Sequence, residues 1–118
     1  MIEACVPQLS DSGGFPPFNH VYRFDLQTKQ LDLYYGGDKR LYQEPVFIPR
    51  HTDAREGDGW LVALTMNYDE MISELVILDT NDMSKHVALC RMPIRLRMGI
   101  HGNWVDDTDV DGHGFPSL

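Results

Sequence analysis

Trp60-Leu61-Val62-Ala63-Leu64-Thr65-Met66 reads as a near-continuous apolar strand, bounded by the polar, Gly-containing connection His51–Gly59 and by a turn over Asn67–Ser73. Continuity of apolar character, without alternation, predicts that both faces of this strand are covered. The next run, Glu74-Leu75-Val76-Ile77-Leu78-Asp79, is a second strand of the same kind. Asn81-Asp82-Met83-Ser84 looks like a tight or helical turn, and His86–Met92 a further strand.

Working outward toward the N-terminus, Val21–Leu26 and Leu31–Tyr35 flank the polar connection Gln27-Thr28-Lys29-Gln30, a hairpin signature, and Gly36-Gly37-Asp38 ends the second strand. Pro45-Val46-Phe47-Ile48 is a short run closed by Pro49. Residues 1–19 contain Asp11-Ser12-Gly13-Gly14 and Pro16-Pro17 and read as irregular. Toward the C-terminus, Met98–Val105 is a candidate seventh strand. No segment shows sustained helical periodicity. Short strands at even spacing predict an all-β sandwich, barrel or propeller. Phe24-Asp25-Leu26 and Ile77-Leu78-Asp79, each before a turn, are two loose copies of one unit, as a propeller would show.

A chain of 118 residues is about one domain, and its 42% apolar and 24% charged content is that of a globular protein. The net charge of −8 argues against a nucleic-acid partner, which needs a basic face. No apolar run approaches bilayer length, and Met1–Pro7 lacks the basic start and apolar core of a signal peptide. A cytoplasmic setting is the resulting expectation. Cys5 and Cys90 form no CxxC pair and are read as free thiols.

The residues Arg97-Met98-Gly99-Ile100-His101-Gly102-Asn103-Trp104-Val105 carry the most chemistry. Glycines on both sides of His101 remove Cβ bulk and permit close approach to the imidazole. The strand-forming Trp104 and Val105 predict that His101 is held in packed structure, as a buried metal ligand would be. Phe47 and Trp104 are expected in the core.

Three blocks together resemble the carotenoid cleavage oxygenases, which include the lignostilbene dioxygenases. Glu44-Pro45-Val46-Phe47-Ile48-Pro49-Arg50 is similar to that family's EPxFxPR block. Glu56–Leu61 followed by Ser73–Asp79 resembles its EDDGYLL and SELVILDA segments, and Arg97–Val105 its RxPxGFHGxWV block. The likeness covers about residues 20–105. It implies an all-β fold: the last blades of a seven-bladed β-propeller, here an incomplete β-meander over 20–105, between an irregular segment 1–19 and an acidic tail 106–118.

The resemblance also implies a metal. Family members hold a ferrous ion on the propeller axis with four histidines; His101 matches the last of these, and Glu44 a glutamate that hydrogen-bonds a ligand histidine. Such a carboxylate fixes the imidazole tautomer and raises its basicity. His20, His51 and His86 do not stand in the family's ligand contexts. The chain is therefore expected to be a C-terminal part of a non-haem Fe(II) dioxygenase, inactive alone and binding iron only if the missing histidines are supplied. The implied reaction is oxidative cleavage by dioxygen of a conjugated C=C bond in an apolar polyene or stilbene. The alternative is a β-rich interaction module, or a non-catalytic relic, that self-associates through exposed strand edges.

Asp107, Asp109, Asp111 and Gly112 copy the first half of an EF-hand loop, but its twelfth position is Leu118, so a solvated acidic tail is expected. His51, His86 and His113 receive no role, and Arg91, Arg95 and Arg97 are read as balancing nearby acids.

Overall fold

The computed structural model describes Ile2–Glu3, residues 18–97, Gly99 and residues 101–106. Eight strands run in chain order: β1 (Ile2–Glu3), β2 (His20–Phe24), β3 (Leu31–Tyr35), β4 (Arg40–Tyr42), β5 (Val46–Pro49), β6 (Gly59–Asn67), β7 (Ile72–Asp79) and β8 (Asp82–Arg91). They form two antiparallel sheets, one of order β1-β2-β3 and one of order β4-β6-β7-β8 in which β5 also pairs with β6. Among the described residues there is no helix.

The two sheets pack face to face, and strand alternation decides which side chains meet. Leu61 and Ala63 of β6 stand opposite Leu78 and Val76 of β7, all pointing inward with Tyr42 of β4. Val21 and Tyr34, paired across the β2–β3 hairpin, meet them from the other sheet, and Met83 completes the core. Full burial of a side chain such as Leu61 or Leu78 contributes roughly 1.5–3 kcal/mol. Phe47 packs against this core as expected.

The continuous apolar run of β6 is covered completely on one face only. Leu61, Ala63, Thr65 and Asn67 are buried, whereas Val62 and Leu64, on the opposite face, are half-buried. The three-stranded sheet shields just one side.

Polar groups close the turns. Asp25 Oδ1 accepts the amides of Gln27 (2.8 Å) and Thr28 (3.0 Å), and Lys29 takes a φ of 60° to bring the chain back into β3. Backbone hydrogen bonds, first from Thr28 and then Gln27, hold the Asp25 carboxyl below its ordinary range.

Several expectations need correction. β4 was not foreseen: three residues containing an arginine give little strand signal, and pairing with Thr65–Asn67 supplies what propensity lacks. β8 begins at Asp82, so the turn is Thr80–Asn81 rather than 81–84; the extra length is absorbed by irregular register opposite Ile77–Asp79. Within the segment expected to be irregular, Ile2–Glu3 pairs with Tyr22–Arg23. The seventh strand expected over 98–105 is not formed among the described residues, since Gly99 and 101–106 have no strand partner. Trp104 consequently has no sheet to pack on and is exposed, its indole N–H donating to Asp106.

Candidate metal-ligand site

β4 and β5 lie along the same edge of β6, and the connection between them is where the site is built. Tyr42 pairs with Thr65 and Val46 with Val62, so this edge advances four residues while β6 advances three. The one extra residue makes Gln43-Glu44-Pro45 a bulge. Pro45 has no N–H to give the ladder, which interrupts pairing at that point. The Gln43 amide still donates to Leu64 O at 2.9 Å.

A regular strand would send Gln43 and Glu44 to opposite faces. In the bulge both reach the same segment. Gln43 Oε1 accepts the Gly99 amide at 2.9 Å, and Glu44 Oε2 lies 2.7 Å from His101 Nδ1. Upstream, Ser73 tethers the same segment twice, its carbonyl accepting Met92 N–H at 2.9 Å and its hydroxyl accepting Leu96 N–H at 2.8 Å. The described residues of this segment, 92–97, Gly99 and His101, thus form a strap pegged to Ser73, Gln43 and Glu44.

A carboxylate only accepts, so in the neutral imidazole the proton of the pair resides on Nδ1 and Nε2 keeps its lone pair. That is the arrangement of a metal-binding imidazole with its orienting carboxylate. The two residues predicted from sequence are therefore brought into contact. Their setting differs from the expectation: the His101 side chain is 82% exposed and Glu44 50%, because the strap lies on the sheet rather than joining it.

The remaining histidines are engaged elsewhere. His20 Nδ1 lies 2.6 Å from Asn19 Oδ1 and its ring stacks on Tyr35, His51 pairs with Asp53 at 2.8 Å, and His86 Nδ1 contacts Tyr34 OH at 3.0 Å. Among the described residues no three His, Cys, Asp or Glu side chains converge as a metal cluster. Arg50, which ends the Glu44–Arg50 block, binds Asp58 (2.8 Å) and Asp79 (2.6 Å) and stacks over Trp60, which ties β5 to the β6–β7 pair. Arg91 pairs with Glu70, and Arg95 lies over the Tyr68 ring. Cys90 is a free, exposed thiol. Cys5, His113 and the acidic run 107–112 lie outside the described residues.

Gln43 was not singled out from sequence. Its signal was present only as an interruption: a proline two residues after it, inside a run otherwise suited to a strand.

The sequence profile of the retinal pigment epithelial membrane protein family matches residues 4–106. Carotenoid cleavage oxygenase 1 of Neurospora crassa is 47% identical over 104 residues, 88% of this chain and 20% of that protein. Resveratrol cleavage oxygenase 1 of Aspergillus fumigatus is 50% identical over 98 residues, 83% of this chain and 20% of that protein. The crystal structure of Pseudomonas brassicacearum lignostilbene dioxygenase superposes with a TM-score of 0.73 at 44% identity, over 79% of this chain and 20% of that one. The chain thus spans about a fifth of the length of these relatives. Its two face-packed sheets correspond to part of their β-propeller, and the chain belongs to the carotenoid cleavage oxygenase family of non-haem iron enzymes.

Proposed function

We propose that His101 is one ligand of a ferrous centre, oriented by Glu44, in an enzyme that cleaves a conjugated C=C bond of a stilbene, carotenoid or apocarotenoid with dioxygen. The observation that carries this is the 2.7 Å contact that leaves His101 Nε2 free. Imidazole suits ferrous iron, and a carboxylate on the far nitrogen is the usual partner of a ligating histidine. His101 and Glu44 fit one ligand position; the others need further imidazoles, which His20, His51 and His86 do not bring to it. Iron, when bound, supplies the redox chemistry by which dioxygen reacts with an alkene. The share of these residues is to hold a proton on Nδ1 and present a lone pair at Nε2.

On this reading the remaining ligands come from outside the described residues, and the isolated chain holds Fe(II) no better than a surface imidazole does. The test is iron content, together with cleavage of a hydroxylated stilbene, in the native gene product and its His101→Ala variant. Iron and cleavage present in the first and lost in the second are expected. Iron retained at the wild-type level in the variant would remove His101 from the site.

A second reading has its own support. Leu31, Leu33 and Tyr35 alternate along β3 on the face turned away from the core and are 58%, 48% and 47% exposed. Large apolar groups in such a row mark a surface that another sheet covers. Completion of a propeller would do this, as would self-association. Sedimentation of the chain with Leu31→Ser and Leu33→Ser distinguishes them: a wild-type oligomer that dissociates favours self-association.

A further inference from the structure

We infer that Gln43 is a positioning residue for His101, fixing the strap through its carboxamide oxygen so that the imidazole meets Glu44 in one orientation; this rests on His101 being a metal ligand. Three observations carry it. Gln43 and Glu44 are consecutive, yet both reach the strap, at Gly99 and at His101, where the one-residue register offset breaks the alternation of a regular strand. Fixing the Gly99 amide two residues before His101 restricts the backbone from which the ring hangs. The exposed His101–Glu44 pair alone is a poor clamp, since water competes for both partners.

The second observation is the cost. Gln43 Nε2 is buried with no hydrogen-bond partner among the described residues, while Oε1 is satisfied by Gly99. A carboxamide that gives up water at one atom to make a single bond at the other is a poor stabiliser of the fold. Its use lies in what the bond holds.

The third is the fit at Gly99. A Cβ there would stand 3.0 Å from Gln43 Oε1, so a side chain at this position crowds the carboxamide and makes it give by a few tenths of an ångström. A glycine two residues before the histidine lets the backbone approach this close.

The test uses ¹⁵N-labelled protein, reading the imidazole nitrogen signature of His101, the exchange rate of the Gly99 amide, and iron content of the native product. Gln43→Met keeps length and removes the acceptor. It is expected to expose the Gly99 amide, to replace a single Nδ1–H tautomer by an averaged mixture, and to weaken ferrous binding about tenfold, the scale of losses beyond the ligands themselves. Gln43→Glu keeps the acceptor and is expected to restore the first two signatures, while Gly99→Ala, which crowds the carboxamide, shifts them in the same direction by less. Amides of β6 report that the fold is intact. An unchanged His101 signature and unchanged Gly99 exchange in Gln43→Met would overturn the inference. If that variant does not fold, Gln43→Glu decides, because loss of Gly99 protection there overturns it equally. Failure of the iron reading looks different: wild type then holds no iron, while the tautomer change in Gln43→Met persists and Gln43 stands as a positioning residue of the imidazole alone.

Discussion

Two carboxylate contacts built from the same stretch of chain differ in what surrounds them. Arg40 Nε meets Glu74 at 2.8 Å and Glu44 meets His101 at 2.7 Å, yet Glu74 is 1% exposed whereas Glu44 and His101 are 50% and 82% exposed. Bond length does not distinguish them; solvent does. Glu74 also accepts a hydrogen bond from Asn67 at 3.0 Å, so its carboxylate is satisfied from two sides between the sheets. Removing Arg40 strands the Glu74 charge away from water. Removing one member of an exposed pair leaves the other to water, at small cost. The first pair fixes how β4 sits on β6 and β7. The second is open to water, which competes for both partners, so its contribution to the fold is expected to be small.

The contrast breaks if the inter-sheet region proves tolerant. Leu78→Ala, at a fully buried core position, is expected to cost about 3–4 kcal/mol by denaturant unfolding. Arg40→Ala is expected to cost about 3 kcal/mol by the same measurement, because it leaves the buried Glu74 carboxylate with Asn67 alone. A loss below about 1 kcal/mol would place this pair in the same class as the exposed one.

Acid sharpens the same contrast. Burial works against the Glu74 charge, but the hydrogen bonds from Arg40 and then Asn67 outweigh it and hold the carboxyl below the ordinary glutamate range. The folded value therefore lies under the unfolded one. The stabilisation is fully present above the unfolded value, about pH 4.3, and is lost as pH falls through the folded value. Stability of Glu74→Gln, followed from pH 6 down through this window, is expected to fall less steeply than that of wild type.

The smallest expected effects are at the strap. His101→Ala and Glu44→Ala should each change unfolding stability by no more than about 1 kcal/mol. A loss of 2 kcal/mol or more would mean that the strap is part of the fold rather than a carrier for one imidazole.

The strands were legible where the hydrophobic pattern is long. β6 and β7 follow from their apolar runs, and the β2–β3 hairpin from two such runs about the Gln27–Gln30 connection. β4 was not legible, because Arg40–Tyr42 becomes a strand only through its partner β6. Over 98–105, valine, tryptophan and isoleucine suggested a strand; four backbone and side-chain tethers to Ser73, Gln43 and Glu44 place the strap on the sheet instead. Local propensity carries no information about tethers to residues so far away along the chain. Contact between Glu44 and His101, 57 residues apart, came from resemblance to a family and not from periodicity. The bulge that lets Gln43 share in it depends on counting register on both strands, which one strand's sequence does not contain.

The most direct test of the central claim is the iron content of the native gene product, measured by native mass spectrometry on wild type and on His101→Ala. Stoichiometric iron in wild type, lost in a variant whose unfolding stability is preserved, is the predicted result. Iron held equally by both proteins would contradict the assignment of His101 as a ligand.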